Sequence, residues 1–224
     1  MDPALVSLLA ASLAFLGTHF ALSHPLRAPI VRRIGEGPFL GLYSLVAFAT
    51  LGWMAFAFRG APPSDLPGTG DIGWAVASLL TVVALVLFLG SLRGNPALPD
   101  PGERKRITRA ATGVFAVTRH PMMWGFALWA LAHLLLFQSW RTTIVAIAIG
   151  VLALVGAHMQ DRKKARLLGD SWTEWQARTH YWPRWQKLLQ AGWLLWLVAI
   201  AAWLGVTWAH VGIAGSPAGL WRWL

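Results

Sequence analysis

Histidines inside long apolar stretches are the side chains of this sequence best suited to chemistry. There are seven: His19, His24, His120, His133, His158, His180 and His210. An ionisable side chain within a membrane span is costly unless it is paired or functional. The apolar runs contain no Asp or Glu, and the chain has no cysteine. Zinc and di-iron carboxylate sites are therefore disfavoured, whereas a haem iron held by two axial histidines is feasible.

Depth within the apolar runs separates the candidate ligands. His133 is the deepest, about 16 Å into its run, whereas His19 lies close to the end of the first run. The two depths differ by about 10–12 Å, which a tilted haem would have to span. His120 and His158 lie at depths closer to that of His19 and compete as ligands. The structural alternative for each histidine is a hydrogen bond that bridges helices.

The segment 118–133 is the most distinctive part of the chain. Pro121 suits the first turn of a helix, so Arg119 and His120 are expected at the positive helix end, where a propionate, phosphate or carboxylate could bind. Further positive charge on the same side of the membrane could come from Arg27, Arg32 and Arg109.

Within the same segment, Gly125, Trp129 and His133 recur at a spacing of four and share one helix face. His120 lies about 140° around the helix from His133, so a straight helix cannot direct both at one iron. The structural alternative is a glycine notch for helix packing, a core tryptophan and a histidine bonded to a carbonyl.

Six apolar runs predict an all-α integral membrane protein, a six-transmembrane-helix bundle that forms one domain over residues 1–224. The chain begins with Met1-Asp2-Pro3 and no basic residue, which is typical of a retained span and not of a cleaved signal peptide. Trp140-Arg141 should be the tip of a tight helical hairpin. The runs cover residues 4–22, 39–58, 74–92, 122–140, 142–158 and 191–210.

Positive charge predicts the orientation. Of 19 Lys and Arg residues, 16 lie in the segments that follow runs one, three and five, and the other three are Arg59, Arg141 and Arg222. Cytoplasmic loops are enriched in Lys and Arg, so both termini should face away from the cytoplasm. Residues 161–189 mix charge with tryptophan and leucine, which predicts amphipathic helices on the cytoplasmic interface between spans five and six, broken at Pro183.

Composition supports a membrane protein. Apolar residues make up 56% of the chain and charged residues 12%, which excludes a disordered chain, a coiled coil and an ordinary water-soluble enzyme. The net charge of +10 would suggest nucleic acid in a soluble protein. Here it follows from membrane topology, so the expected partners are the lipid bilayer and an apolar small molecule, and not nucleic acid.

The motifs resemble the NnrU family of bacterial membrane proteins, which includes the plant zeta-carotene isomerases. The likeness is carried by the sequence of residues 15–20 (FLGTHF), 41–45 (GLYSL), 118–121 (TRHP), 129–133 (WALAH) and 161–163 (DRK). It implies haem b with His19 and His133 as axial ligands, and isomerisation of a cis double bond in a carotenoid or other isoprenoid lipid. The isomerase branch has a cysteine where this chain has Ala130, so ligand exchange through a thiolate is excluded.

Two alternatives stay open. One is a non-enzymatic haem-binding factor that supports nitrite or nitric oxide respiration, with the same histidine pair. The other is an isoprenylcysteine-type membrane methyltransferase, which the Arg-His-Pro motif, the helical hairpin and the charged tail also resemble. That enzyme would bind S-adenosylmethionine in a polar pocket formed by Arg119, His120, Asp161, Arg162 and Arg178.

Overall fold

A computed structural model describes residues 2–97, 107–108, 110–136 and 138–224. Helices account for all of the regular secondary structure in these ranges, as the sequence predicts. Arg109 lies outside the described residues. The α-helices are α1 (Pro3–Ser23), α2 (Arg27–Ile34), α3 (Glu36–Gly60), α4 (Gly70–Ser91), α5 (Val114–Val117), α6 (Pro121–Leu136), α7 (Trp140–Leu168), α8 (Asp170–Arg178) and α9 (Trp193–Ala214), and two 3-10 helices span Trp185–Ala191 and Gly219–Arg222.

The described residues contain five helices that are long and apolar enough to cross a bilayer: α1, α3, α4, α7 and α9. The chain is therefore a multi-pass membrane protein. Helix α6 has 16 residues and measures about 24 Å, less than the hydrocarbon thickness of about 30 Å. It is shorter than the fourth predicted run because it ends at Leu136. The side chain of Ser139 then caps α7 by accepting a hydrogen bond from Thr142 N, so Trp140-Arg141 begins α7 and does not form the hairpin tip.

The helices pack in the order α3, α1, α7, α6, α4, α9, each against the next. Successive long helices run in opposite directions, so α1 ends at the same side of the bundle at which α6 begins. This side is called the basic end, because the segments that connect its helices carry most of the Lys and Arg residues. Two of these helices have two neighbours that carry histidines. Helices α1 and α6 each pack on α7, and helices α6 and α9 each pack on α4.

Gly125 permits the close approach of α6 to α4. A Cβ atom at this position would lie 2.8 Å from the carbonyl oxygen of Ala84 and 3.3 Å from Cβ of Phe88. The glycine notch that belongs to the structural alternative is therefore present, and its partner is the backbone of α4. The core around this contact consists of buried Leu87, Leu128 and neighbouring residues of α4, α5, α6 and α9.

The charged segment 161–189 is helical in part, and its bounds differ from the predicted ones. Residues 161–168 continue α7, and α8 follows after Gly169. Trp172 and Trp175 in α8 are buried against Ala97 and Ile107, so they contact protein. An interfacial amphipathic helix would instead direct its tryptophans to lipid, and that part of the interpretation stays a prediction.

Candidate functional site

Two histidines from different helices face one apolar cavity. The cavity has a volume of about 310 Å³ and lies between α4, α6 and α9. It is called the His133 cavity, and His133 and His210 both line it. None of its described lining residues carries a permanent charge. Its aromatic wall consists of Trp74, Phe88, Phe126, Trp129 and Trp203.

Both imidazoles are held by main-chain carbonyls through the same ring nitrogen. Nδ1 of His133 is 2.8 Å from the carbonyl oxygen of Trp129, and Nδ1 of His210 is 3.0 Å from that of Ser216. A carbonyl oxygen only accepts, so each Nδ1 must carry the proton and each neutral Nε2 retains a lone pair. Histidines that bind metals commonly have this arrangement. The Trp129 ring packs on His133 with 4.0 Å between ring centroids.

Three other polar side chains of the His133 cavity, those of Thr81, Trp203 and Thr207, bond to one another or to the backbone. Trp203 Nε1 donates to Thr81 Oγ1 at 3.0 Å, and Thr81 Oγ1 donates to the carbonyl of Ala77 at 2.9 Å. Thr207 Oγ1 donates to the carbonyl of Trp203 at 2.6 Å. The two Nε2 atoms differ from these three groups, because each is a neutral imidazole nitrogen with a lone pair that could bind a molecule or a metal ion.

His19 lies in a different cavity. This cavity, called the His19 cavity, has a volume of about 520 Å³ and is lined by α1, α3, α6 and α7. Nδ1 of His19 is 2.8 Å from the carbonyl oxygen of Phe15, so Nε2 is again the lone-pair nitrogen. Tyr43 approaches the imidazole edge-on, with 5.5 Å between ring centroids. Arg27 lines the same cavity and forms an ion pair with Glu36 at 2.5 Å.

The structure does not bring His19 and His133 together. His19 is four residues from the end of α1, about 6 Å from the basic end, whereas His133 is twelve residues into α6, about 18 Å from it. His19 and His133 line different cavities, which share the wall residue Phe126, and neither cavity is lined by both rings. The ligand pair His19 and His133 stays a prediction from the family resemblance.

Arg119 and His120 meet an anion that the chain itself supplies. Arg119 Nε donates to both carboxylate oxygens of Asp161, at 2.9 and 3.0 Å, and His120 Nε2 is 2.8 Å from Oδ1. The side chain of His120 is fully buried, and its Nδ1 has no hydrogen-bond partner among the described residues. Nε2 of His120 is therefore already hydrogen-bonded to Asp161 and is not available to another ligand. This group of three residues, called the Asp161 cluster, ties the start of α6 to α7.

Backbone hydrogen bonds extend this connection to the segment after α8. Arg119 N donates to the carbonyl of His180 at 2.8 Å, and Arg184 N donates to that of Val117 at 2.9 Å. Trp124 Nε1 donates to the carbonyl of Tyr181 at 2.9 Å. Thus α6, α7 and residues 180–184 meet around one buried carboxylate. Burial, followed by the nearby carboxylate of Asp161, raises the pKa of the Tyr181 hydroxyl.

His158 lies beside the Asp161 cluster. It is exposed and lines a polar cavity of about 610 Å³ together with Arg119, Asp161 and Arg162. This is called the Arg119 cavity. His158 and two members of the Asp161 cluster, Arg119 and Asp161, line it, whereas the fully buried His120 does not. His19 lies in the cavity on the other side of α7. Arg178 points elsewhere, because its guanidinium donates to the carbonyl of Ile107 at 2.6 Å.

Two of these residues were not expected to have such roles. His210 lies near the end of the last predicted run and gave no reason to be singled out, although Trp203, Thr207 and His210 share a helix face by their spacing. Asp161 also belongs to the 161–163 motif, but among the predicted sites it occurs only in the methyltransferase pocket. Their sequence distance from their partners, 41 residues for His120 and Asp161, explains why periodicity within one helix does not reveal them.

Comparison with known proteins identifies the family. The chain is 35% identical over 74 residues to the 15-cis-zeta-carotene isomerase of Arabidopsis thaliana chloroplasts, a match that covers 32% of this chain and 20% of that protein. The chain thus matches about a fifth of the length of this relative. No solved structure matches the chain significantly. The family model described as NnrU protein matches residues 7–218, and the chain therefore belongs to the NnrU family.

Proposed function

We propose that this membrane protein binds an isoprenoid polyene in the His133 cavity and isomerises a cis double bond of that molecule. Cis–trans isomerisation conserves every atom and electron of the substrate, so the protein needs only to hold the polyene and weaken one double bond. Membership of the NnrU family and the partial likeness to a carotene isomerase support this reaction class. The observation that carries the proposal is the pair of imidazoles in one uncharged, aromatic cavity.

The chemistry of the wall suits a polyene. A flat conjugated chain can pack on the faces of indole and phenyl rings, which bury a large apolar area. A volume of about 310 Å³ lies at the lower end of small-molecule sites. The cavity would therefore hold only part of a haem and of a long polyene, with the rest of each molecule extending beyond it.

Haem b is the cofactor that we propose for this site, with His133 and His210 as its ligands. Two lone-pair Nε2 atoms in one apolar cavity fit a bis-histidine haem, whereas His19 does not share that cavity. Arg222 could meet a propionate, because its guanidinium lies 4.9 Å from the ring centroid of Trp74, which lines the cavity. When bound, the haem would supply ferrous iron with a freed coordination site.

We place the basic end in the cytoplasm and both termini on the other side of a bacterial inner membrane. The distribution of Lys and Arg supports this orientation. It also requires α6 to count as a sixth span, with the bilayer thinned or the flanking residues reaching to the interface.

Absorption spectra test the haem assignment. Purified protein, as isolated and after haem reconstitution, should show the Soret band of six-coordinate low-spin haem. His133→Ala and His210→Ala should each abolish that spectrum, whereas His19→Ala and the control His180→Ala should retain it. Lack of a Soret band in the wild-type protein would eliminate haem, and loss of the low-spin spectrum in His19→Ala alone would reinstate His19.

Isomerisation needs its own assay. The protein in liposomes, reduced with dithionite, is given a cis polyene, and the products are separated by chromatography. We expect conversion that His133→Ala removes. Haem binding without conversion of any polyene would instead favour the non-enzymatic haem factor.

A methyltransferase is the second candidate, favoured by one observation. Arg119, Asp161 and Arg162 line the Arg119 cavity together, as a polar cofactor pocket would require. The bond between Arg119 and Asp161 and the direction of Arg178 toward Ile107 argue against it. Calorimetry with S-adenosylmethionine decides: absence of heat at saturating ligand would end this candidate.

A further inference from the structure

An exposed apolar surface precedes helix α9 at the basic end. It consists of residues 182–193 and is called the Trp185 surface. Trp182, Trp185, Leu189 and Trp193 are 70%, 46%, 81% and 74% exposed. Trp193 is the first residue of α9, which is long and apolar enough to cross a bilayer, so this surface lies where the membrane meets water. Tryptophan is enriched at that boundary.

The bundle holds the Trp185 surface in place. The first 3-10 helix, which forms most of this surface, packs on α5 and α9. Leu188 packs against the apolar core, whereas its neighbour Leu189 is exposed. The ring centroid of Trp124 in α6 lies 5.3 Å from that of Trp182 and 6.3 Å from that of Trp185. The apolar side chains are therefore presented in a fixed arrangement and not on a free tail.

The charge of the Trp185 surface is positive. It contains Arg184 and Lys187, and the chain has no Asp or Glu after Glu174. Arg184 is exposed, and among the described residues neither cation forms a salt bridge. Burial, followed by the charges of Arg184 and Lys187, lowers the pKa of His180, which lies just before this surface. The positive field of the two cations therefore extends beyond their own positions.

Anionic phospholipids match both parts of this surface. Their phosphates are attracted to Lys and Arg near the membrane, and their acyl chains can cover exposed indole and leucine side chains. A soluble anion would meet only the cations and leave the apolar side chains in water. A zwitterionic lipid also carries a phosphate, but its ammonium group opposes the attraction to the cations.

We propose that the Trp185 surface binds anionic phospholipids, with their phosphates beside Arg184 and Lys187 and their acyl chains beside Leu189 and Trp193. None of the described lining residues of the His133 cavity belongs to this surface, so the site requires neither haem nor isomerisation. The interfacial segment that the sequence predicts over residues 161–189 would thus be confined to its last part and would continue to the start of α9.

Quenching by spin-labelled lipids tests the proposal on the full chain in phosphatidylcholine nanodiscs. The chain has no cysteine, so Gln190→Cys places a single fluorophore on the Trp185 surface. The nanodiscs contain a small fraction of phosphatidylglycerol or of phosphatidylcholine that carries the same nitroxide near the head group. We expect labelled phosphatidylglycerol to quench at least two-fold more strongly, and added salt should reduce the difference. Equal quenching by the two lipids would overturn the proposal.

A control position separates this surface from exposed apolar residues in general. Leu224 is 86% exposed and lies at the opposite end of the bundle, near Arg222, which pairs with Asp71. A fluorophore at Leu224→Cys should therefore be quenched equally by the two lipids. The same preference for phosphatidylglycerol at both positions would refute the assignment to the Trp185 surface.

Charge variants locate the phosphates. Arg184→Gln combined with Lys187→Gln should remove most of the preference measured at Gln190→Cys, whereas Arg184→Lys combined with Lys187→Arg should retain it. Arg59→Gln, at the opposite end in the last turn of α3, is the control and should leave the preference unchanged. If the double glutamine variant keeps the full preference, the phosphates do not lie beside these cations and the proposal fails. Haem spectra of the Arg184 and Lys187 variants should be unchanged, so failure here leaves the proposed function untouched.

Discussion

Replacement of Asp161 by Asn should destabilise the protein far more than the same replacement of an exposed aspartate. Asp161 is 10% exposed at its side chain, and its partners Arg119 and His120 are 12% and 0% exposed. Loss of its charge leaves a buried guanidinium without a counter-ion. Breaking a buried ion pair in this way costs about 3–5 kcal/mol. Asn keeps one carbonyl acceptor for Arg119 or His120, so we expect a loss near the lower end of that range, about 3 kcal/mol.

The chain offers a matched control in Asp71. Asp71 accepts a hydrogen bond from Arg222 at 3.1 Å, but the two side chains are 71% and 32% exposed. Solvent screens such a pair, and exposed pairs contribute about 0–1 kcal/mol. Asp71→Asn should therefore change stability by less than about 1 kcal/mol, although the chemical change equals that of Asp161→Asn.

Unfolding in mixed detergent micelles, by titration with sodium dodecyl sulfate, measures both free energies. A second comparison uses Arg119→Met. When both partners are removed, no charge of the pair is left buried without the other, so the double variant should lose less stability than the sum of the single variants. Equal losses for Asp161→Asn and Asp71→Asn, or strict additivity with Arg119→Met, would refute the role of Asp161 as the anion that joins α6 and α7.

Two further predictions follow from packing and from topology. Gly125→Ala should destabilise the protein by about 1–3 kcal/mol, because the new methyl group would lie 2.8 Å from the Ala84 carbonyl oxygen. Gly156→Ala is the control and should be neutral or stabilising, because a Cβ atom there has open space. The same detergent titration compares the two variants, and equal effects would show that α4 and α6 do not approach each other so closely. The chain has no cysteine, so Ser64→Cys and Thr173→Cys each introduce one reactive site. In intact cells an impermeant maleimide should label the first and not the second, and the reverse pattern would invert the proposed orientation.

Hydropathy and periodicity predicted much of the fold because each helix carries its own signal. An apolar run identifies a helix that can cross the bilayer, whatever its neighbours are. The glycine at position 125 and the helix start at Pro121 are equally local, and both are found in the structure. The short length of α6 was not predicted, because an apolar run does not reveal the residue at which the helix ends. Here the stop comes at Leu136, four residues before the predicted end of the run.

The site was harder to predict because its geometry depends on which helices are neighbours. Periodicity establishes that Trp129 and His133 share a face of α6, but it does not say which helix lies opposite that face. The positive charges fix only the direction of each helix, and many packing orders have the same directions. In this structure α4 packs against both α6 and α9, and α7 packs against both α6 and α1. His133 lines a cavity in common with His210, whereas His19 lines another cavity with Arg27 and Tyr43. A haem with two histidine ligands would need both rings in one cavity, so under the proposed haem assignment the second ligand would come from the helix that faces the His133 cavity, whatever the predicted depth of its histidine.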